Sequence, residues 1–272
     1  MKINSIVDCH VHCDFSDDSG MLPRQGVDSA VAYGLKGIAY TDHIDIDYPD
    51  PSYDFTFDIA ARTKSLNQLQ KQYEGRLSII NGVEIGIQPS VIKQSNEFVT
   101  KGNFDFVICA VHSVDHYSLC MSSKFFEGKS KKKAYRRYLE AVYDSVTHFD
   151  DFDIVGHIGY VRRYGPYEDR SMPYAEFSDI IDMILKRVID DGRGIEVNTS
   201  GYAYNLGSPI PDFDVIERYK ELGGEIITIG SDAHDPKHVG ELFLETLKRI
   251  YQIGFKYIAY YEQRKPVFVP IG

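Results

Sequence analysis

Two histidines two positions apart, His10 and His12, are the first chemically suggestive residues of the chain. In extended backbone, residues i and i+2 point to the same side, so both imidazoles can reach one ion. Neutral imidazole binds first-row divalent metals well. Further potential ligands recur downstream, each just beyond a short apolar run: Thr41-Asp42-His43, Glu84, His112, His157, Asn198 and Asp232-Ala233-His234. A carboxylate at such a position can bridge two cations about 3.5–4 Å apart, the use expected of Glu84. Asp232 and His234 share one side of the chain, and Gly230 before them permits close backbone approach. Asp8 has the parity of His10 and is expected to orient a ligand imidazole. Cys9 has the opposite parity and reads as a small buried hydrophobe, while Cys13 stays open. Arg162 and Arg163 follow His157 by five and six positions. A guanidinium fork matches phosphate oxygens, so one of them is expected to face a phosphate; a surface salt bridge is the alternative. His116, His148 and His238 fall outside the pattern and read as structural or peripheral. There is no G-x-x-x-x-G-K, no G-x-G-x-x-G after a strand and no strand-to-helix elbow carrying Ser or Cys, so nucleotide-loop and covalent chemistry have no support.

Seven apolar runs must deliver these residues: Ile3–Cys9, Gly37–Tyr40, Leu77–Val83, Phe104–Val111, Phe152–Gly156, Gly194–Val197 and Glu225–Ile229. Between them lie helix-like segments at 23–33, 57–73, 89–101, 131–149, 174–191, 212–222 and 237–253, with Pro23 and Pro89 suited to first turns and Gly34, Gly192 and Gly223 to ends. Apolar residues at 180, 181, 184, 185, 188 and 189 follow a helical stripe. Strand–helix alternation with continuously apolar strands implies a parallel sheet buried on both faces. A closed or nearly closed barrel of about seven strands is expected, an open doubly wound sheet being the alternative. In a barrel all strand exits open on one face, where the active site lies. Asp45–Phe55 and Tyr117–Ser130 read as long loops, and Phe255–Gly272 as an eighth strand or a segment across the barrel bottom. With no linker or low-complexity tract, residues 1–272 read as one domain.

The chain has 272 residues, nine His, no Trp and a net charge of −10, which argues against a protein built to grip an extended phosphate backbone. A local metal cluster can still reverse the field for a small phosphorylated ligand. Four cysteines without a C-x-x-C pair do not make a disulfide framework. With no signal-peptide pattern and no apolar stretch of membrane-spanning length, a cytoplasmic protein is expected.

The ordered series His10/His12, Ser16-Asp17, Thr41-Asp42-His43, Gly82-Val83-Glu84, His112, Gly156-His157 and Ser231-Asp232-Ala233-His234 resembles the PHP (polymerase and histidinol phosphatase) family of metal-dependent phosphoesterases. Asn198-Thr199-Ser200-Gly201 and the Gly156–Gly165 loop are most similar to its stand-alone L-histidinol-phosphate phosphatases. The resemblance implies an α/β fold, a distorted (β/α)7 TIM-like barrel with its metal centre at the C-terminal ends of the strands. It implies up to three divalent ions of Zn, Mn or Fe. His10, His12, Glu84 and Asp232 would hold the first, Glu84, His112 and His157 the second, and Asp17, His43 and His234 the third. Asp17 enters on the resemblance alone. The implied reaction is hydrolysis of a small phosphomonoester, L-histidinol phosphate in histidine biosynthesis, by a metal-bridging hydroxide. Asp17, Asp232 or His234 would serve the catalytic proton, Arg162 or Arg163 the substrate's phosphate, and Asn198 would touch substrate or stand behind the ligands. Tyr202 stands where a basic residue commonly follows the Asn-Thr-Ser-Gly segment, so phosphate binding would fall to Arg162 or Arg163, or the substrate differs. The alternatives are another phosphoester or an oligonucleotide, and an amidohydrolase-type metal hydrolase, although no Lys ends an apolar run. A small phosphorylated substrate is the expected partner, with no membrane and no extended nucleic acid; oligomeric state is left open.

Overall fold

Strands exit on one face of this molecule because all seven main strands run parallel. The computed structural model describes residues 2–272. Its barrel strands are β1 (Val7–Val11), β2 (Gly37–Tyr40), β3 (Ser78–Gly86), β4 (Phe106–Ala110), β5 (Ile154–Val155), β6 (Gly194–Asn198) and β7 (Ile227–Gly230), adjacent in that order. The seam between β7 and β1 closes at the upper rim only. There Val11 bridges Ala233, and the Asp232 N–H donates to the His10 carbonyl at 2.7 Å. A two-residue strand, His43–Ile44, pairs with the distal half of β3 and carries His43 level with Glu84. The result is a nearly closed, distorted barrel.

Helices α1 (Pro23–Tyr33), α2 (Ile59–Gln72), α3 (Ile92–Gly102), α4 (Lys131–His148), α5 (Ser178–Asp190), α6 (Phe213–Glu221) and α7 (Phe243–Ile253) cover the outside. Their ends carry the expected signals: Asp58 caps α2 by accepting the Ala61 N–H at 2.9 Å, and Gly34 takes the left-handed conformation after α1. The α5 stripe Ile180, Ile181, Ile184, Leu185 and Val188 is buried, with Ile189 at its margin.

Two element starts shift, and the tail takes one of its two expected places. β1 begins at Val7 because Ile3–Ser5 forms a single 3-10 turn. α7 begins at Phe243, since Leu242 adopts a positive φ of 57° and separates the helix from the Pro236–His238 turn. The tail forms an antiparallel hairpin, β8 (Tyr257–Glu262) and β9 (Lys265–Pro270), which crosses the N-terminal end of the barrel instead of extending its sheet. Apolar residues from Ile6 to Ile271 form one contiguous core. No described helix is long and apolar enough to cross a membrane.

Candidate metal centre

The strand exits bring His10, His12, His43, Glu84, His112, His157, Asp232 and His234 into one buried cluster. Glu84, fully buried, lies at its middle. Its Oε1 is 3.1 Å from His112 Nε2 and 2.7 Å from His157 Nε2. Its Oε2 is 3.3 Å from His10 Nε2, 3.5 Å from His12 Nε2 and 2.9 Å from His43 Nδ1. Asp232 Oδ1 completes the His10–His12 group at 3.6 and 3.2 Å. One carboxylate thus faces two nests of imidazoles, one with each oxygen.

These groups fit divalent cations better than they fit one another. Glu84 Oε2 and His43 Nδ1, although close, do not meet in hydrogen-bonding geometry, and both remain without a partner. A buried polar atom left unpaired costs about 1–3 kcal/mol. His10 Nδ1 meets Glu196 at 2.7 Å, so the neutral ring carries its proton there, and the bare Nε2 lies 3.0 Å from His12 Nε2. That space takes a proton or a cation. Charge tells the same story. Burial would raise Glu84, but His10, His112 and His43 hold it well below the carboxylate range. Burial would lower His43, but Asp18 and Glu84 bring it to about 9. His12, buried and beside His43 and His234, is instead lowered to about 3.

The third group differs from expectation. Asp18, not Asp17, faces the two remaining histidines, with Oδ2 3.6 Å from His43 Nε2 and 3.3 Å from His234 Nε2. Asp17 turns outward, where its carboxylate accepts the Asp54 N–H at 3.0 Å. The cause is the turn after β1. Ser19 Oγ donates toward the His12 and His234 carbonyls at 3.4 and 3.3 Å, which folds the turn over the cluster and points Asp18 inward.

Behind the ligand candidates stand acceptors that the sequence reading did not select. Asp45 faces His112 Nδ1 at 2.9 Å. Glu196, on β6, takes His10 Nδ1 and also accepts the His157 N–H at 2.9 Å. Both had a legible signal, since Asp45 shares parity with His43 and Glu196 with Asn198. Asp8 does not meet an imidazole; it accepts from Ser231 N–H at 2.9 Å and Gly240 N–H at 2.9 Å, tying β1 to the exit of β7. Gly230 is required at this seam, because a Cβ there would lie 2.4 Å from the His10 Cβ. Cys9 is buried beneath the cluster, and Cys13 donates its backbone N–H to Asp42 at 2.7 Å.

A cavity of about 510 Å³ opens above the cluster, lined by His43, His112, His157, Asp232 and His234 and by Arg163, Tyr160, Tyr164 and Tyr204. Arg163 lies between the Tyr160 and Tyr204 rings, 4.8 and 4.9 Å from their centroids. It ion-pairs with Asp232, while its Nε has no partner. Arg162, one position earlier on the short helix Val161–Tyr164, points elsewhere: Nη1 is 2.9 Å from Asp212 and Nε donates to the Arg170 carbonyl at 3.1 Å. Of the two arginines it is Arg163 that reaches the cavity, while Arg162 takes the salt-bridge alternative and its donors hold loops together. Asn198 takes the second of its two expected places, behind the ligands. Wholly buried, it donates to Glu196 at 3.0 Å and Asp232 at 3.2 Å, and its Oδ1 accepts from Arg163 and Ser200. It positions Asp232 and Arg163 and does not line the cavity. His238, read as peripheral, lines the cavity rim beside Glu241.

Comparison with known proteins agrees with this geometry. The family described as "PHP domain" matches residues 8–200. The histidinol-phosphatase of Lactococcus lactis is 35% identical over 231 residues, 85% of each chain. A probable histidinol-phosphatase of Clostridium acetobutylicum is 31% identical, over 95% of this chain and 98% of that one. The crystal structure of the L. lactis histidinol phosphate phosphatase, complexed with zinc, L-histidinol and phosphate, superposes with a TM-score of 0.88 at 32% identity, over 97% of this chain and 99% of that one. The family match takes in β1 to β6 and the relatives span the whole barrel, so the chain belongs to the PHP domain family.

Proposed function

We propose that residues 1–272 act as one catalytic unit that hydrolyses a small phosphomonoester, L-histidinol phosphate, to L-histidinol and phosphate. The observation that carries this reading is Glu84, whose two oxygens face two separate imidazole groups beneath the floor of a cavity that Arg163 also lines. The relatives named histidinol-phosphatase, and the L. lactis structure with zinc, L-histidinol and phosphate, support the substrate.

His10, His12, Glu84 and Asp232 would hold one divalent cation, Glu84, His112 and His157 a second, and Asp18, His43 and His234 a third, with Zn, Mn or Fe suited to such mixed nitrogen and oxygen donors. Bound there, the cations supply Lewis acidity and a water ionised near neutral pH. The chain's own groups do the rest. Glu84 and Asp232 fix the spacing of the site, and Glu196 and Asp45 hold the His10 and His112 rings in one orientation. Arg163, pre-set between two tyrosine rings on the cavity wall, would bring its guanidinium charge to phosphoryl oxygens and offset charge as the ester bond breaks. His234 is the most exposed imidazole of the cluster, and with Asp18 it would serve the proton that the leaving oxygen takes up.

The reading is tested by steady-state phosphate release from L-histidinol phosphate, O-phosphoserine, p-nitrophenyl phosphate and a short oligonucleotide, with added Zn, Mn or Fe. L-histidinol phosphate should lead in kcat/KM by at least about tenfold. Equal or lower turnover than the generic esters would contradict the substrate while leaving the phosphoesterase reading intact.

A further inference from the structure

Arg62, on α2, is 1% exposed and one of the largest fully buried side chains of the molecule. It enters the barrel wall from outside and places four of its five N–H groups in hydrogen bonds. Nε donates to Asp42 Oδ2 at 2.6 Å, Nη1 to the Asn81 side chain, and Nη2 to the carbonyls of Tyr40 and Gly82 at 2.7 and 2.9 Å. Asp42 is itself fully buried. Its Oδ1 accepts the Cys13 N–H at 2.7 Å and the Ser16 hydroxyl at 3.2 Å. Ser16 Oγ lies 3.0 Å from the His43 N–H and 3.1 Å from His12 Nδ1.

The direction of these bonds follows from which groups can donate. A guanidinium stays charged in a protein, so the buried carboxylate against it carries the compensating charge and can only accept. The Ser16 hydroxyl has one proton, and Asp42 takes it. Its oxygen then accepts twice, from the His43 N–H and from His12 Nδ1. A His12 ring that donates from Nδ1 carries no proton on Nε2, the nitrogen facing Glu84 and Asp232. We propose that Arg62 and Asp42, acting through Ser16, are positioning residues that fix His12 in the Nδ1–H tautomer and so keep its Nε2 lone pair free for a cation. This rests on the reading of His12 as a metal ligand. The arrangement also accounts for a buried ion pair where apolar residues would cost less. A bare serine could equally donate to His12 Nδ1, which would move the ring proton to Nε2 and block the ligand.

Nitrogen-15 NMR of histidine in the metal-free protein reads the tautomer directly, at a pH where the lowered His12 is neutral. Wild type should show His12 protonated on Nδ1. Asp42→Asn can present its amide to Ser16 and reverse the hydroxyl, so the His12 proton should shift toward Nε2. Metal affinity, measured by competition with a chelator, should then weaken roughly 10–100-fold. Ser16→Ala removes the acceptor with a smaller disturbance of the fold and should weaken metal binding in the same range, whereas Ser16→Thr, which keeps the hydroxyl, should restore it. Arg62→Met should behave as Asp42→Asn, with Arg62→Lys between it and wild type. A merely structural network would lower the melting temperature of these variants and leave tautomer and metal affinity unchanged. That result in Ser16→Ala and Asp42→Asn would overturn the proposal. His12→Ala separates the two readings: if it too binds metal as wild type does, His12 is not a ligand, and the tautomer measurement still decides what Arg62 and Asp42 do.

Discussion

The two ends of the barrel handle charge in opposite ways. At the C-terminal end, Glu84 Oε2, His43 Nδ1 and His157 Nδ1 are buried without a hydrogen-bond partner. At the N-terminal end, charges are matched within the chain. Asp153 accepts the Val107 N–H at 2.7 Å and Arg264 Nε at 2.7 Å, and Arg264 Nη1 reaches Asp151 at 2.8 Å. Hairpin β8–β9 brings Arg264 to this floor, and Tyr261 donates to the Asp153 carbonyl at 3.4 Å. Both ends bury carboxylates, yet Glu84 is driven far down by His10, His112 and His43 and Asp232 by Arg163 and His10, whereas burial raises Asp153 to about 6 despite Arg264. An end that only has to hold the fold saturates its polar atoms; an end that has to work leaves them facing a space where something else binds.

The largest expected effect is at the working end. Glu84→Gln or His10→Ala should cost at least about 10³-fold in kcat/KM and lose bound metal, with the metal-free protein still folded by circular dichroism. A loss of activity that merely follows a loss of folded protein would erase the contrast between the ends. Next comes the pair that sharpens the third ligand group. Asp18→Asn should lower kcat/KM by roughly 10–100-fold and reduce metal content, while Asp17→Asn should stay within about twofold of wild type. Reversed ranks would restore Asp17 to the site.

At the floor the effect moves from activity to stability. Arg264→Ala strands the Asp153 carboxylate and should cost about 1–3 kcal/mol in denaturant unfolding, with kcat/KM of the folded protein unchanged. The smallest effect is with pH. The native Asp153 pKa of about 6 lies above its ordinary 3.8, so the native state holds this proton more tightly than the unfolded chain. The stabilisation is full below 3.8 and is lost as pH rises through 6. Relative to Asp153→Asn, wild type should gain on the order of 1 kcal/mol between pH 7 and pH 5. A flat difference would mean that Arg264 already outweighs the burial.

Much of this was legible because strand runs and helix stripes have different periods, and because parallel strands must release their last residues on one face. Parity placed His10 beside His12. Parity fails where the chain leaves the strand. Asp17 and Asp18 are neighbours in a turn, and only the folding of that turn by Ser19 decides which one faces inward. Arg162 and Arg163 are neighbours on one short helix, separated by about 100° of rotation, and the sequence could not say which faced the cavity. Asn198 sits at a strand exit like a ligand, but Glu196, Asp232 and Arg163 engage it wholly inside the wall. Arg62 is easily missed because a helical arginine reads as solvated, although its spacing from Leu66 and Leu69 places it on the buried face of α2. The tail hairpin was ambiguous for a similar reason, since its alternation fits an eighth barrel strand as well as a floor.

The central claim is that the strand-exit cluster is a metal centre on which phosphoester hydrolysis depends. Its most direct test is to strip the protein with a chelator, return Zn, Mn or Fe stepwise, and follow bound metal by elemental analysis together with phosphate release from L-histidinol phosphate. Activity should be absent in the stripped protein, rise with metal bound per chain and level off at two to three ions, and neither binding nor activity should return in Glu84→Gln. Full turnover by thoroughly stripped protein, or saturating metal binding that Glu84→Gln leaves untouched, would contradict it.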